Sequence, residues 1–344
     1  RNRPPSARKR RVRVISWPYF YAAGQSLNFR CFFGHLFVML QRLGSFFSQE
    51  ADVLSAEELS LRAHHAKKLL ESCRLCPRYC GIQRSRGELG FCGTGQRAVV
   101  ASYAPHFGEE PPLTGLHGSG TVFFSHCNLG CLFCQNADIS HLGEGVEIAD
   151  ERLADIFLYI ERLGCHNLNL VTPTHSLPMI LSALAHASER GFELPVVYNT
   201  GGYDTPEALQ LLDGVVDIYM PDMKSFDPDF CRKYLQAPDY PEVVKKAVRI
   251  MAEQTGDFIT DDRGIGRKGL LIRHLVMPGQ EQDSLEILNF INNELPVRPL
   301  VNIMDQYHPC YRSGEFEQLN HRTPRHTFQK VYEAAAHMGL SLCA

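Results

Sequence analysis

The chain has 344 residues, 44% of them hydrophobic and 21% charged, enough to bury a substantial core in one large domain or two modest ones. Its formal net charge of −3 hides an asymmetry: residues 1–49 carry nine Lys and Arg and no acid, which leaves 26 basic against 38 acidic residues, or −12, in the remainder. A body of that sign lacks the basic surface that phosphate binding needs and argues against nucleic acid as its partner. The longest apolar run, Cys31 to Leu40 between Arg30 and Arg42, is too short to span a bilayer.

Residues 1–50 open with an Arg-rich stretch, Arg8-Lys9-Arg10-Arg11, and hold the one tryptophan, Trp17. They read as a basic tail without fixed structure, or as an organelle transit peptide, apart from the fold. Residues 51–115 form a Cys-rich N-terminal lobe. From 116 to 344 short apolar runs alternate with amphipathic stretches. The strands expected there are Thr121–Ser125, Asn167–Thr172, Pro195–Asn199, Val216–Pro221, Leu270–Met277 and Leu300–Asp305, most of them apolar throughout, as in strands covered on both faces. Helices are expected over Asp150–Leu163, Leu177–Arg190, Thr205–Leu212, Pro241–Glu253, Ser284–Glu294 and Thr327–Met338. Asp204-Thr205-Pro206-Glu207 is a helix start, with a capping residue and Pro in the first turn. Six strand-then-helix units predict a parallel α/β sheet, open or closed into a barrel. Gly264-x-Gly266-x-x-Gly269 precedes a strand and opens no helix, so it is a turn and not a dinucleotide fingerprint.

Seven of the twelve cysteines fall in two groups, Cys73-Cys76-Cys80-Cys92 and Cys127-Cys131-Cys134. Such tight spacings suit metal ligation better than a disulfide framework. The second group, C-x3-C-x2-C, directly follows the first expected strand. Three thiolates can hold three irons of a [4Fe–4S] cube and leave the fourth iron open to a small chelating ligand. S-adenosylmethionine (SAM) offers such a ligand in its amino and carboxylate groups. One electron passed to its sulfonium gives methionine and a 5′-deoxyadenosyl radical that abstracts hydrogen, so the cofactors carry the hard chemistry. A structural zinc site needs a fourth ligand, and none follows Cys134 at the usual spacing; the adjacent His126 points to the other face of an extended chain.

This triplet, with the aromatic Phe133 before its third cysteine, resembles the radical SAM superfamily. Its continuation Cys134-Gln135-Asn136 resembles the pyruvate formate-lyase activating enzyme-like branch, and the likeness covers roughly residues 70–342. It implies a partial (β/α)6 barrel of the TIM type with SAM across the strand ends. Tyr219-Met220-Pro221-Asp222-Met223-Lys224 is similar to the branch's Met-x-Asp-x-Lys motif. By that resemblance Asp222 and Lys224 lie beside the methionyl part of SAM, and Met220 and Asp222 help hold a monovalent cation. Asn199-Thr200 resembles the Asp-Thr pair that completes the cation site, with one negative charge fewer. Arg273 with Leu275–Gly279 resembles the fifth-strand segment, and Tyr307-His308 a pair whose His approaches the SAM carboxylate. The branch's Gly-Gly-Glu is absent: Val171-Thr172-Pro173-Thr174-His175 stands there, with Thr174 and His175 available for the SAM amino group. No side chain is assigned a catalytic role beyond cofactor binding.

The first group, C-x2-C-x3-C-x11-C, suits tetrahedral zinc or an auxiliary iron–sulfur cluster, and Cys165, Cys231, Cys310 and Cys343 read as core thiols. Three functions compete. One is activation of a glycyl radical enzyme through a loop admitted by the open barrel. A second is radical modification of a small molecule, peptide or nucleotide, and a third is a zinc-stabilised binding protein without catalysis. The resemblance also implies a flavodoxin- or ferredoxin-like one-electron donor. An oxygen-sensitive cluster implies a reducing compartment, the cytoplasm unless the leader is a transit peptide.

Overall fold

A computed structural model describes residues 54–343; the leader, the transit-peptide expectation and Cys31 lie outside them. The apolar runs become strands within two or three residues of their expected bounds, except that β8 begins earlier. The strands are β1 Ala98–His106, β2 Ser119–Phe124, β3 Val146–Ile148, β4 Leu168–Val171, β5 Val196–Thr200, β6 Ile218–Pro221, β7 Ile259–Thr260, β8 Gly266–Leu275, β9 Leu300–Met304 and β10 Ser341–Leu342. The main helices are α1 Ala56–Lys68, α2 Asp150–Arg162, α3 Leu177–Ser188, α4 Pro206–Gln210, α5 Tyr240–Thr255, α6 Glu281–Glu294 and α7 Arg325–His337.

The strands pair in the order β10-β9-β8-β6-β5-β4-β2-β1-β3. From β2 to β9 every neighbouring pair is parallel, with a helix in each crossover from β4 onward. The arrangement is a partial TIM-type barrel whose two ends, β10 and β3, are not hydrogen-bonded to each other. β1 runs antiparallel beside β2, with Pro105 opposite Gly120. β1, at the end of the Cys-rich stretch, thus extends the barrel sheet.

Strand side chains alternate between two cores. Leu113, Val197, Ile218, Met220 and Leu271 pack together inside the barrel, Leu113 being supplied by the short helix Pro111–Thr114. Tyr198, Tyr219, Leu170 and Ile272 join the larger core beneath the helices. Each large apolar side chain so buried contributes about 1.5–3 kcal/mol. Gly120 marks the tightest approach on β2: a Cβ there would lie 2.1 Å from Ile160 and 2.8 Å from the Asn167 carbonyl. Among the described residues no helix is long and apolar enough to cross a membrane.

Candidate cofactor site

All the parallel strands run the same way, so the residues that follow their C-terminal ends gather on one face. Cys127, Cys131 and Cys134 lie in the loop after β2, Thr174 in a 3-10 turn after β4, and Asn199 and Thr200 at the end of β5. Met220 lies inside β6 with Asp222 and Lys224 just beyond it, and Arg273 is near the end of β8.

The cysteine loop is fixed by its own backbone. His126 takes a left-handed turn (φ 71°) and donates its N–H to the Ile139 carbonyl at 2.8 Å. Gly130 N–H donates to the Leu235 carbonyl at 3.0 Å and Leu132 N–H to that of Tyr234 at 2.9 Å. Phe133 is buried, its ring 6.1 Å from Phe230 and 6.3 Å from Tyr307. Cys127 Sγ accepts from the Leu129 N–H at 3.4 Å, and Cys134 Sγ is 3.1 Å from Ser140 Oγ.

Burial pushes the Cys127 thiol up to about 11 and raises Cys131 as well, while the positive charge of Lys224 opposes both shifts. These thiols lie within one another's electrostatic reach. No trio of His, Cys, Asp or Glu side chains among the described residues is drawn together at coordination distance. As a donor set they nevertheless fit an iron–sulfur cluster: three soft sulfurs on one loop, desolvated, beside a cation that favours the thiolate form. Cys310 is half-buried, and the charge of Cys134 bears on it.

Asp222 ties the neighbouring strand ends together. Lys224 Nζ donates to its Oδ2 at 2.9 Å and Arg273 Nε to its Oδ1 at 2.8 Å. Burial alone would push the carboxyl up, but the two cations outweigh that and hold it at about 2. Arg273 also donates to Asn199 Oδ1 at 2.7 Å and approaches Glu109 Oε2 at 3.4 Å. Two of the oxygens that the resemblance assigns to a monovalent cation, on Asp222 and Asn199, are thus occupied by a guanidinium. Tyr240 OH accepts from the Lys224 N–H at 3.1 Å and lies 2.7 Å from the Asp222 carbonyl, which fixes the turn between them.

Thr174 and Thr200 meet at 3.3 Å, around a residue missed in the sequence. Asp204 is fully buried and accepts from Thr174 Oγ1 at 2.7 Å, Thr200 Oγ1 at 2.7 Å and Tyr198 OH at 3.0 Å. Thr205 supplies the cap of α4, so the Asp beside it is free to turn inward. His175 is buried, and its Nε2 donates to the Ser125 carbonyl at 2.7 Å, just ahead of the cysteine loop. His308 is not brought to the site: it is exposed and bonded only to the nearby Gln306 carbonyl at 3.2 Å. Its neighbour Tyr307 is buried and donates to the Leu319 carbonyl at 2.6 Å. Glu109 and Glu110, also missed, enter the barrel from the segment after β1. Glu110 accepts from Asn302 at 2.8 Å, and its second carboxylate oxygen has no partner.

The family described as "Radical SAM superfamily" matches residues 121–291. An uncharacterised protein of Methanocaldococcus jannaschii is 30% identical over 294 residues, covering 83% of this chain and 80% of that one. A radical SAM methyltransferase from Sphaerobacter thermophilus is 12% identical, covering 84% of this chain and 93% of that one with a TM-score of 0.46. Streptococcus suis SuiB bound to its precursor peptide SuiA is 12% identical with a TM-score of 0.42; the match covers 63% of this chain and only 46% of that one. Similarities at this level carry no substrate across.

Proposed function

The chain belongs to the radical SAM superfamily, and on that premise we propose that it cleaves SAM reductively and turns the resulting radical on a substrate admitted at the open side of the barrel. The observation that carries the proposal is the convergence of the cysteine loop with the Asp222–Lys224–Arg273 set at the same strand ends. In such enzymes a [4Fe–4S] cluster held by three thiolates supplies the electron and binds SAM at its open iron.

Cys127, Cys131 and Cys134 hold the cluster, and Lys224 offsets part of their negative charge. Lys224 also pairs with a carboxylate presented to it, in the orientation fixed by Asp222 and Tyr240. Asn199 and Thr200 close the β5 side, with Thr200 held by Asp204. Leu129 and Phe133 line the loop with apolar surface that excludes water. The electron comes from a flavodoxin- or ferredoxin-like donor, and the hydrogen is abstracted from a glycine of a glycyl radical enzyme, or from a small molecule, peptide or nucleotide.

The test is anaerobic reconstitution followed by iron counting and an assay for 5′-deoxyadenosine from SAM under reductant. Roughly four irons per chain, and product formation abolished in Cys131→Ala, are expected. Wild-type protein that holds iron but never yields 5′-deoxyadenosine would refute the proposal.

A further inference from the structure

Cys73, Cys76, Cys80 and Cys92 are left without a role by the account above. They occupy a segment with little else to hold it. Between α1 and β1 the only regular element is the three-residue turn Arg84–Arg86. Cys73, Cys76 and Cys92 are nevertheless buried and Cys80 partly so, and none is in a disulfide. Cys76 lies within electrostatic reach of Cys73, Cys80 and Cys92.

The backbone bends tightly between these cysteines. Tyr79 is held at φ 42° and Gly81 at φ 67°, a conformation that a non-glycine residue keeps only where its surroundings impose it. Gly81 N–H donates to the Cys73 carbonyl at 3.0 Å and Tyr79 N–H to the Cys76 carbonyl at 3.0 Å. Gly90 closes on the third cysteine, where a Cβ would stand 3.0 Å from Cys80 Sγ.

From these features we infer that the four cysteines hold one tetrahedral zinc ion, a structural centre distinct from the cluster at the strand ends. Four thiolates fill the coordination of zinc and leave no open position, which suits a structural ion. The tight turns at Tyr79 and Gly81 and the approach of Gly90 to Cys80 hold the cysteines in one short segment, the compact setting of a single structural ion. Arg78, between the second and third ligands, donates to the Asn128 carbonyl at 2.8 Å and to that of Gln236. Asn128 follows Cys127, and the charge of Cys92 bears on Cys127. The zinc therefore staples the loop that carries the first cluster cysteine.

The inference does not rest on SAM cleavage and is tested apart from it. Protein from anaerobic, iron-replete growth is analysed for zinc, iron and sulfide as wild type, Cys131→Ala, Cys76→Ala and Cys92→Ala. Roughly one zinc per chain is expected in wild type and in Cys131→Ala, falling by at least tenfold in the other two. X-ray absorption at the zinc edge of the wild type, which needs no variant to fold, is expected to show four sulfurs at about 2.3 Å. Iron and sulfide retained in Cys131→Ala without zinc, oxygen or nitrogen ligands in the zinc spectrum, or absence of metal would each overturn the inference.

Discussion

Asn in place of Asp222 removes the one carboxylate that Lys224 and Arg273 share at 2.9 and 2.8 Å. The folded carboxyl sits at about 2 against an ordinary 3.8. At roughly 1.4 kcal/mol per unit, this difference contributes about 2.5 kcal/mol to stability. That contribution is complete above the ordinary value of 3.8 and is lost as the pH falls through about 2. The substitution also strands two cations, with only Glu109 beside Arg273 at 3.4 Å, which brings the cost to about 3–5 kcal/mol. In a chain of this size the melting temperature should fall by about 6–10 °C. Circular dichroism melts at about pH 7 and about pH 5 should show the same penalty, because the wild-type carboxylate is charged at both. High salt should change it little, since partly buried pairs are poorly screened. A fall of less than about 2 °C would refute the buried ion-pair reasoning.

Other consequences are equally open to measurement. Arg84 is fully buried and donates to the Gly95 carbonyl at 2.8 Å and the His175 carbonyl at 3.0 Å, so Arg84→Met should cost about 3–5 kcal/mol in denaturant melts. Burial pushes the His175 imidazole down to about 3 from 6.5; the unfolded chain therefore binds a proton there first, and stability falls by about 1.4 kcal/mol per pH unit below about 6.5. Urea melts at about pH 7.5 and about pH 5.5 should show that loss in wild type and a shallower one in His175→Asn. Because Arg273 occupies Asn199 and Asp222, 5′-deoxyadenosine formation should proceed equally in sodium, potassium and choline chloride at matched ionic strength. A requirement for one of these ions would show that Arg273 leaves the site when SAM binds.

The parallel core was legible because strands buried on both faces need continuous apolar runs, as at Val216–Pro221 and Leu300–Asp305. β1 was missed: Ser102, Pro105 and His106 break the apolar pattern on an antiparallel strand that is exposed at Ser102, Tyr103 and Ala104. The site was legible where chemistry fixes residue types at short spacing, as in the cysteine triplet and Asp222-x-Lys224. Asp204 was not, because a carboxylate beside a helix start reads as a cap, and only the fold shows that Thr205 takes that role. Arg273 as the partner of Asn199 and Asp222 depends on three strands lying side by side, which spacing along the chain does not encode. His308 had a motif in its favour, yet the loop after β9 turns it outward.

Electron paramagnetic resonance of the anaerobically reduced protein reports whether the three-thiolate cluster has an iron open to SAM. Wild type should give the signal of a one-electron-reduced cluster, its shape should change when SAM is added, and Cys131→Ala should lack it. A reduced-cluster signal that is indifferent to SAM, or one that survives in Cys131→Ala, would contradict the account.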